Sequence, residues 1–426
     1  MVYRNSANAE LGMLLTDARA HTHALLQPRS GAEWIGPYLA IVNPPLWEFG
    51  HVAWFQEYWC LRRRPDGSFA DSQLSGADAL YNSSKVAHTS RWQLPLPSLD
   101  DSYRYAAQVL ERVLERLARE PDNAELGYFA RLALLHEDMH DEAFHYTWQT
   151  HGYPAPRFAA QQAASPAGAL GGDVELPGGP MLLGAPAEQG FVFDNEKWQH
   201  EATVAPFAIS RAPVSNREYQ DFVDDGGYRR CEWWSEAGWH WREQCGAEAP
   251  AHWRRDGTGW AMRRFDQWLP LAPDQPVLHV NWHEANAWCR WRGRRLPSEA
   301  EWEMAAAGPD GRDYPWGSAP PKPAQANLDG RAGWCADVAA YAEGDSPEGC
   351  RQLLGNVWEW TATPFAPYPG FRADPYEDYS QPWFGNHYVL RGGSFATRSR
   401  LIRNVYRNFY LPERRDIFAG FRTCAL

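Results

Sequence analysis

Nowhere in its 426 residues does the chain contain the roughly 18 uninterrupted apolar positions of a membrane helix, so a membrane-spanning role is not expected. It has no block of Lys or Arg either. With 41 basic and 53 acidic residues the formal net charge is −12, which makes nucleic acid and anionic membranes poor partners. Cysteine is sparse and irregular. Seven residues (60, 231, 245, 289, 335, 350 and 424), odd in number and without a Cys-x-x-Cys pair, fit reduced thiols better than a disulfide frame. There is no internal repeat and no phosphate-binding glycine loop, and Met1-Val2-Tyr3-Arg4-Asn5-Ser6 leads into a mixed polar segment rather than a signal peptide. A cytoplasmic protein is the expectation.

What the chain has in abundance is large rings: 23 Trp, most of them after residue 190, in short segments split by Gly and Pro. That texture suits a loop-rich domain with an aromatic core. Hydrophobic residues at 44% and charged residues at 22% mark a globular chain, and 426 residues exceed one ordinary core. The expected class is α+β. Residues 1–155 read as a helical bundle, 156–172 as an aperiodic Pro, Ala, Gln and Gly linker, and 173–426 as a loop-rich domain of short strands.

In the first part, Leu11, Leu14, Leu15, Ala18 and Leu25 recur at helical spacing, with Thr22 the one polar place in the row. A second helix opens at Pro44-Pro45 and carries His51 among apolar residues. A third runs from about Leu99 to Ala118 behind Asp100-Asp101, and a fourth from Glu125 to His145. In the second part, helices are expected at Ser215–Asp224, His283–Trp291 and Ser298–Ala307, the last with a Ser298/Glu301 capping box.

The fourth helix contains His136-Glu137-Asp138-Met139-His140. Residues four apart share a helix face, so the two imidazoles stand side by side at metal-ligand spacing. Chance produces such pairs too. The spelling also matches H-E-x-x-H, the zinc-hydrolase helix with Glu137 as general base, although its extended form asks for glycine at 143 and histidine at 146, where Ala143 and Tyr146 stand. The pair needs a third ligand, and His51 on a facing helix can supply it, as bundles build metal sites from facing side chains. For His51 a core histidine with a satisfied hydrogen bond is the competing reading. Three neutral imidazoles suit iron, zinc or copper.

The second part also carries long motifs: Pro213-Val214-Ser215-Asn216-Arg217-Glu218-Tyr219, Arg295-Leu296-Pro297-Ser298-Glu299-Ala300-Glu301-Trp302-Glu303, Gly355-Asn356-Val357-Trp358-Glu359-Trp360 and Leu390-Arg391-Gly392-Gly393-Ser394. Together they resemble the formylglycine-generating-enzyme-like (sulfatase-modifying-factor) domain, which has a C-type-lectin-like fold. Trp358 and Trp360 are expected to be scaffold. Thr397 and Ile402 stand where that family's copper-binding cysteines would fall, so formylglycine generation is not expected.

With a DinB-like four-helix bundle in front of this domain, the whole chain resembles the ergothioneine sulfoxide synthase family. Pro44-Pro45-x-Trp47 ahead of His51, the His136/His140 pair, Asp194-Asn195-Glu196-Lys197, Asp225-Gly226-Gly227-Tyr228 and Tyr406-Arg407-Asn408-Phe409 all match its pattern. The resemblance implies that His51, His136 and His140 bind a non-haem ferrous ion, Fe(2+), that dioxygen is a substrate, and that a chalcogen is joined to the imidazole C2 of hercynine. It places Asn408, Phe409 and Tyr410 around hercynine, at the interface of the two domains. Tyr379 and Tyr376 are candidates to supply a proton or electron near the iron, with packing as the alternative role.

The departures lie on the donor side. Leu80-Tyr81-Asn82-Ser83-Ser84-Lys85-Val86 lacks two family tyrosines, replaced by Ser84 and Lys85. Met139 ends a Glu-Asp-Met triplet where the family has Glu-Gln-Gln, and Tyr410 stands where some members place an aspartate. This pattern resembles the selenoneine synthases and implies that the donor is a selenosugar (1-seleno-glucose), contacted by Ser84, Lys85, Met139 and Tyr410. The alternatives are a sulfoxide synthase using cysteine or γ-glutamylcysteine, a zinc hydrolase, and a non-catalytic metal-binding protein.

Overall fold

The computed structural model describes residues 7–27, 30–158, 161–187 and 190–426. The signal-peptide reading of Met1–Ser6, and Ala159-Ala160 of the expected linker, lie outside the described residues. The chain divides into two compact units, Val2–Phe158 and Ala159–Leu426.

The first unit holds α1 (Asn8–Leu26), α2 (Pro45–Glu57), the short α3 (Ala77–Tyr81), α4 (Leu99–Arg119) and α5 (Ala124–His151). The four long helices form the bundle, with α1 and α2 each packing against both α4 and α5. Each end has a local cause. Pro45 sits in the first turn of α2, where its missing N–H costs nothing. Ser98 Oγ accepts from Asp101 N at 3.2 Å at the start of α4, and Asn123 Oδ1 accepts from Leu126 N at 2.9 Å at the start of α5. Gly152, with φ 71°, ends α5 in the left-handed conformation that glycine adopts without strain. Tyr105, Ala106, Val109, Val113 and Leu117 form the buried stripe of α4.

The second unit is built around two four-stranded sheets. One runs in the order 173–176, 207–210, 424–425, 294–295, with antiparallel pairs throughout. The other runs 408–410, 388–391, 358–364, 419–420, and its last pair is parallel. A hairpin (179–183 with 200–204) and a three-stranded meander (253–256, 259–264, 267–270) complete the strands. Helices α6 (Asn216–Asp224), α8 (Trp282–Arg292) and α9 (Glu299–Ala307) fall where the sequence expects them, and the Ser298/Glu301 capping box is present. The sequence reading misses α7 (Glu236–Cys245). Its Ser235 cap and Gly246 stop are both in place, but only Gly238 is buried, so no apolar stripe announces it. Residues 161–172 carry no helix or strand, yet they are laid along the second unit. Gln162 N donates to Arg331 O at 2.8 Å, and the amides of Ala167 and Gly168 donate to Asp337 Oδ2, both at 2.9 Å.

The motif residues of this unit serve as scaffold. Glu359 and Arg422 are fully buried and paired in two parallel bonds of 2.6 and 2.7 Å, and Trp302 Nε1 donates to the same carboxylate at 2.7 Å. Arg391 pairs with Glu303, and Arg407 with Glu299 at 2.7 and 3.1 Å, all four side chains being buried. Trp360 Nε1 donates to Val280 O at 2.9 Å. Gly392, at φ 101°, lies against the Leu353 carbonyl, which an added Cβ would meet at 2.6 Å. Removing one partner of such a pair strands a buried charge. Glu359→Ala should therefore cost about 3–5 kcal/mol of unfolding free energy, measured as a fall in the denaturant midpoint, and a loss below 1 kcal/mol would contradict this reading.

Candidate metal centre

The bundle brings His51 of α2 together with His136 and His140 of α5, one ligand-type nitrogen from each lying within 4.8 Å of the others. Among the described residues, no other group of three or more His, Cys, Asp or Glu comes together in this way. His51 and His136 are 3% and 4% exposed, and His140 is half-buried.

Each ring is held from outside. His51 Nδ1 lies 2.8 Å from the backbone oxygen of Tyr81, which can only accept, so Nδ1 carries the proton and Nε2 keeps its lone pair. His140 Nδ1 lies 2.6 Å from Glu48 Oε1, with the same consequence. Trp47 stacks on the His51 ring at 5.0 Å and 6°, and Phe55 stacks on His136 at 3.7 Å and 6°. Burial, and then the charge His140 can carry, hold His51 and His136 well below the ordinary imidazole pKa, which keeps them neutral. The Nε2 atoms of His136 and His140 face one another at 3.3 Å. Nitrogens in a tetrahedral or octahedral shell lie about 3.0–3.5 Å apart, so this pair has ligand spacing. The donor set therefore fits a divalent metal of the iron, zinc or copper group.

Glu137 does not fit the hydrolase role. Its carboxylate is 1% exposed, is bound twice by Arg19 (2.7 and 3.2 Å), and accepts from the Thr22 hydroxyl at 2.8 Å. Thr22, the one polar place in the α1 row, is thus part of a buried network with Glu137 and Asp141. The general-base reading of H-E-x-x-H is corrected accordingly.

Sequence reasoning passed over three supports of the site. Glu48 stands alone among Leu46, Trp47 and Phe49, and a lone acid in an apolar run was the available signal. Tyr81 was noted only as part of a departing segment. Gly50 precedes His51 in mid-helix, and a Cβ there would meet the Tyr81 ring at 2.3 Å. The glycine lets α3 approach α2 closely enough for the Tyr81 carbonyl to reach His51. Ser84 and Lys85 lie in the exposed turn just after α3, and Met139 is half-buried beside His140 on α5.

In the second unit, Asn408, Phe409 and Tyr410 form one edge strand, paired with Leu390, Val389 and Tyr388. Phe409 stacks on Phe365 at 4.0 Å and meets Tyr379 edge-on at 6.0 Å. Tyr379 stacks on Phe193 at 4.5 Å, its hydroxyl lies 3.4 Å from that of Tyr406, and Tyr376 lies 6.2 Å from it. Burial raises the Tyr379 phenol well above its ordinary pKa. Asp194 of the Asp-Asn-Glu-Lys motif accepts from Ser380 at 2.5 Å, and Lys197 pairs with Asp374 at 2.7 Å. These two contacts tie down the loop that carries both tyrosines. Arg414 lies over the Tyr410 ring at 5.0 Å. Thr397 Oγ1 accepts from Ser394 N at 2.8 Å and Ile402 is fully buried, so ordinary packing fills the positions of the missing copper cysteines.

Residues 14–144 match the DinB superfamily, and residues 159–425 match the sulfatase-modifying factor enzyme 1-like domain. The hercynine oxygenase of Mycolicibacterium thermoresistibile is 40% identical over 97% of this chain and 94% of its own length. The chain belongs to the hercynine oxygenase family. The member from Mycobacterium tuberculosis is 39% identical over 97% of this chain and 98% of its own. The formylglycine-generating enzyme of Streptomyces coelicolor, by contrast, is 32% identical over 64% of this chain. The whole-length match, bundle included, is to the oxygenases. No helix among the described residues is long and apolar enough to cross a membrane.

Removing an imidazole from a three-histidine set leaves two protein ligands. His136→Ala should bind divalent metal at least about 10-fold more weakly while keeping its helical circular dichroism. Gly50→Ala should weaken binding too, by displacing Tyr81 from His51. Equilibrium metal competition measures both, and unchanged affinity in His136→Ala would remove these histidines from the site.

Proposed function

We propose that this chain is a non-haem Fe(2+), dioxygen-dependent enzyme that joins a chalcogen to C2 of hercynine, and that its donor is a selenosugar, 1-seleno-glucose. The observation that carries the reading is the convergence of three imidazoles, two of them hydrogen-bonded from outside, in a chain matching hercynine oxygenases along its whole length. When bound there, ferrous iron supplies open coordination positions and one-electron chemistry for dioxygen.

The protein's own contribution is placement. The bundle fixes the His51 and His140 tautomers before any metal arrives, so the rings need little reorganisation. Hercynine carries a quaternary ammonium that cannot donate a hydrogen bond and is best met by aromatic faces. Phe409, with Tyr379 and Phe365 against it, and the amide of Asn408 are suited to that task. Tyr379 keeps its proton because burial disfavours the phenolate, so its hydroxyl can act as a donor. Tyr376, next to it, is the second candidate.

On the donor side, Ser84 and Lys85 stand in place of two tyrosines, Met139 in place of a glutamine and Tyr410 in place of an aspartate, a change that removes an acidic partner for a zwitterion and leaves hydroxyl and aromatic groups for a polyhydroxylated ligand. The Arg414 guanidinium lies over the Tyr410 ring and is itself paired with Asp416. With Tyr410 in place of an aspartate, the ammonium of a cysteine donor loses one acidic partner that a neutral sugar does not need.

Phe409→Ala should weaken hercynine binding by about 1–2 kcal/mol in calorimetry, the range for a desolvated cation over a ring. Iron-loaded enzyme given hercynine and dioxygen should turn over faster with 1-seleno-glucose than with cysteine or γ-glutamylcysteine, followed by mass-resolved product. Comparable or faster turnover with either thiol would overturn the selenosugar assignment and favour the sulfoxide-synthase alternative.

A further inference from the structure

Glu48 is the most unusual charge in the bundle. It lies in the second turn of α2, 1% exposed, between Trp47 and Phe49. One of its oxygens meets His140 Nδ1 at 2.6 Å. The other, Oε2, is buried and has no hydrogen-bond partner. A carboxylate so placed, with the His140 imidazole as its one hydrogen-bonding neighbour, is costly to bury unless positive charge stands close by. Arg91 is near enough to interact electrostatically with it, but its guanidinium is committed to Asn43 at 2.6 Å and to the face of Trp47 at 3.9 Å. The other place for positive charge is His140 itself, on the ring or as a metal at Nε2.

Two other buried glutamates of the bundle behave differently. Glu137 is matched by Arg19. Glu57, on the same helix as Glu48, accepts from Tyr105 at 2.7 Å, Ser72 at 2.5 Å and the amide of Gln73 at 2.9 Å. Glu48 alone of the three is spent on a histidine of the cluster, and its oxygens fall outside the group of mutually close ligand atoms.

We propose that Glu48 is a positioning residue of the metal centre: its carboxylate, 2.6 Å from His140 Nδ1, orients that ring and places an anionic group behind a ligand set that otherwise consists of imidazoles alone. It acts through His140 and touches neither metal nor substrate. The consequence is an uneven site. His51 is braced by a neutral carbonyl and His140 by a carboxylate, so of these two His140 would be the more basic ligand toward a metal. α2 thus provides one ligand, His51, and the orienting group of another, three residues apart on the same helix.

The inference rests on the metal reading above, and the test separates the two. Co(2+) binding to the full chain is followed by equilibrium competition and by the ligand-field absorption of the bound ion, for wild type, Glu48→Gln, Glu48→Ala and Glu57→Gln. Glu48→Ala should weaken binding by about 10- to 100-fold and shift the absorption. Glu48→Gln, whose carbonyl keeps the tautomer but not the charge, should fall between it and wild type. Glu57→Gln should lower the melting temperature while leaving affinity and absorption unchanged, since a purely structural carboxylate moves stability alone. Affinity within twofold of wild type with an unshifted absorption in both Glu48 variants, or in Glu48→Gln alone if Glu48→Ala does not fold, would overturn the proposal. Co(2+) failing to bind the wild-type chain would overturn it together with the metal reading. Glu48-dependent Co(2+) binding in a chain whose Fe(2+)-loaded form does not convert hercynine would support the role of Glu48 and remove only the functional reading.

Discussion

Bringing three imidazoles together in the bundle, with His51 and His136 buried and held neutral, is the constraint from which the rest of the first unit follows. A histidine in an apolar bundle ordinarily turns both nitrogens to hydrogen-bond partners. Here His51 and His140 each give one nitrogen to a fixed acceptor and reserve the other. That arrangement has demands beyond the ligands themselves. α3 must come close enough for the Tyr81 carbonyl to reach His51, which requires glycine at 50. A carboxylate must be buried at 48, and aromatic rings must cover His51 and His136. These features would be expensive ornaments in a bundle built for stability alone.

The second unit meets a comparable cost in another way. Its buried guanidinium–carboxylate pairs, Arg422 with Glu359, Arg391 with Glu303 and Arg407 with Glu299, are matched in charge and in hydrogen bonding. Matched pairs of this kind fix geometry more than they add stability. What they fix is a sheet whose edge strand displays Asn408, Phe409 and Tyr410, and a loop on which Tyr376 and Tyr379 stand. The aromatic abundance of the sequence is consumed in the same task, with Trp302, Trp358 and Trp360 walled into the core.

Much of this was legible in the residues. Helical spacing located the four long helices, the fourth ending six residues short of the observed His151, and the Ser298/Glu301 capping box is present as expected. The i,i+4 histidine pair and a lone histidine on another helix were enough to nominate the cluster. The hidden features depend on tertiary contact. Nothing in the string Leu-Trp-Glu-Phe-Gly-His says that Glu48 faces a histidine 92 residues away or that Gly50 receives a tyrosine ring. The spelling H-E-x-x-H likewise does not show that Glu137 is held by Arg19, 118 residues distant, which removes the hydrolase alternative's general base. Helix α7 escaped because it buries almost nothing, and periodicity reports only what is buried.

The proposed binding of ferrous iron by His51, His136 and His140 is tested most directly by X-ray absorption at the iron edge of the anaerobically loaded chain. The account predicts a first shell of light atoms containing three imidazole rings, recognisable by their multiple-scattering pattern, and no sulfur. A thiolate in the shell, fewer than two imidazoles, or iron that washes out on gel filtration would contradict it.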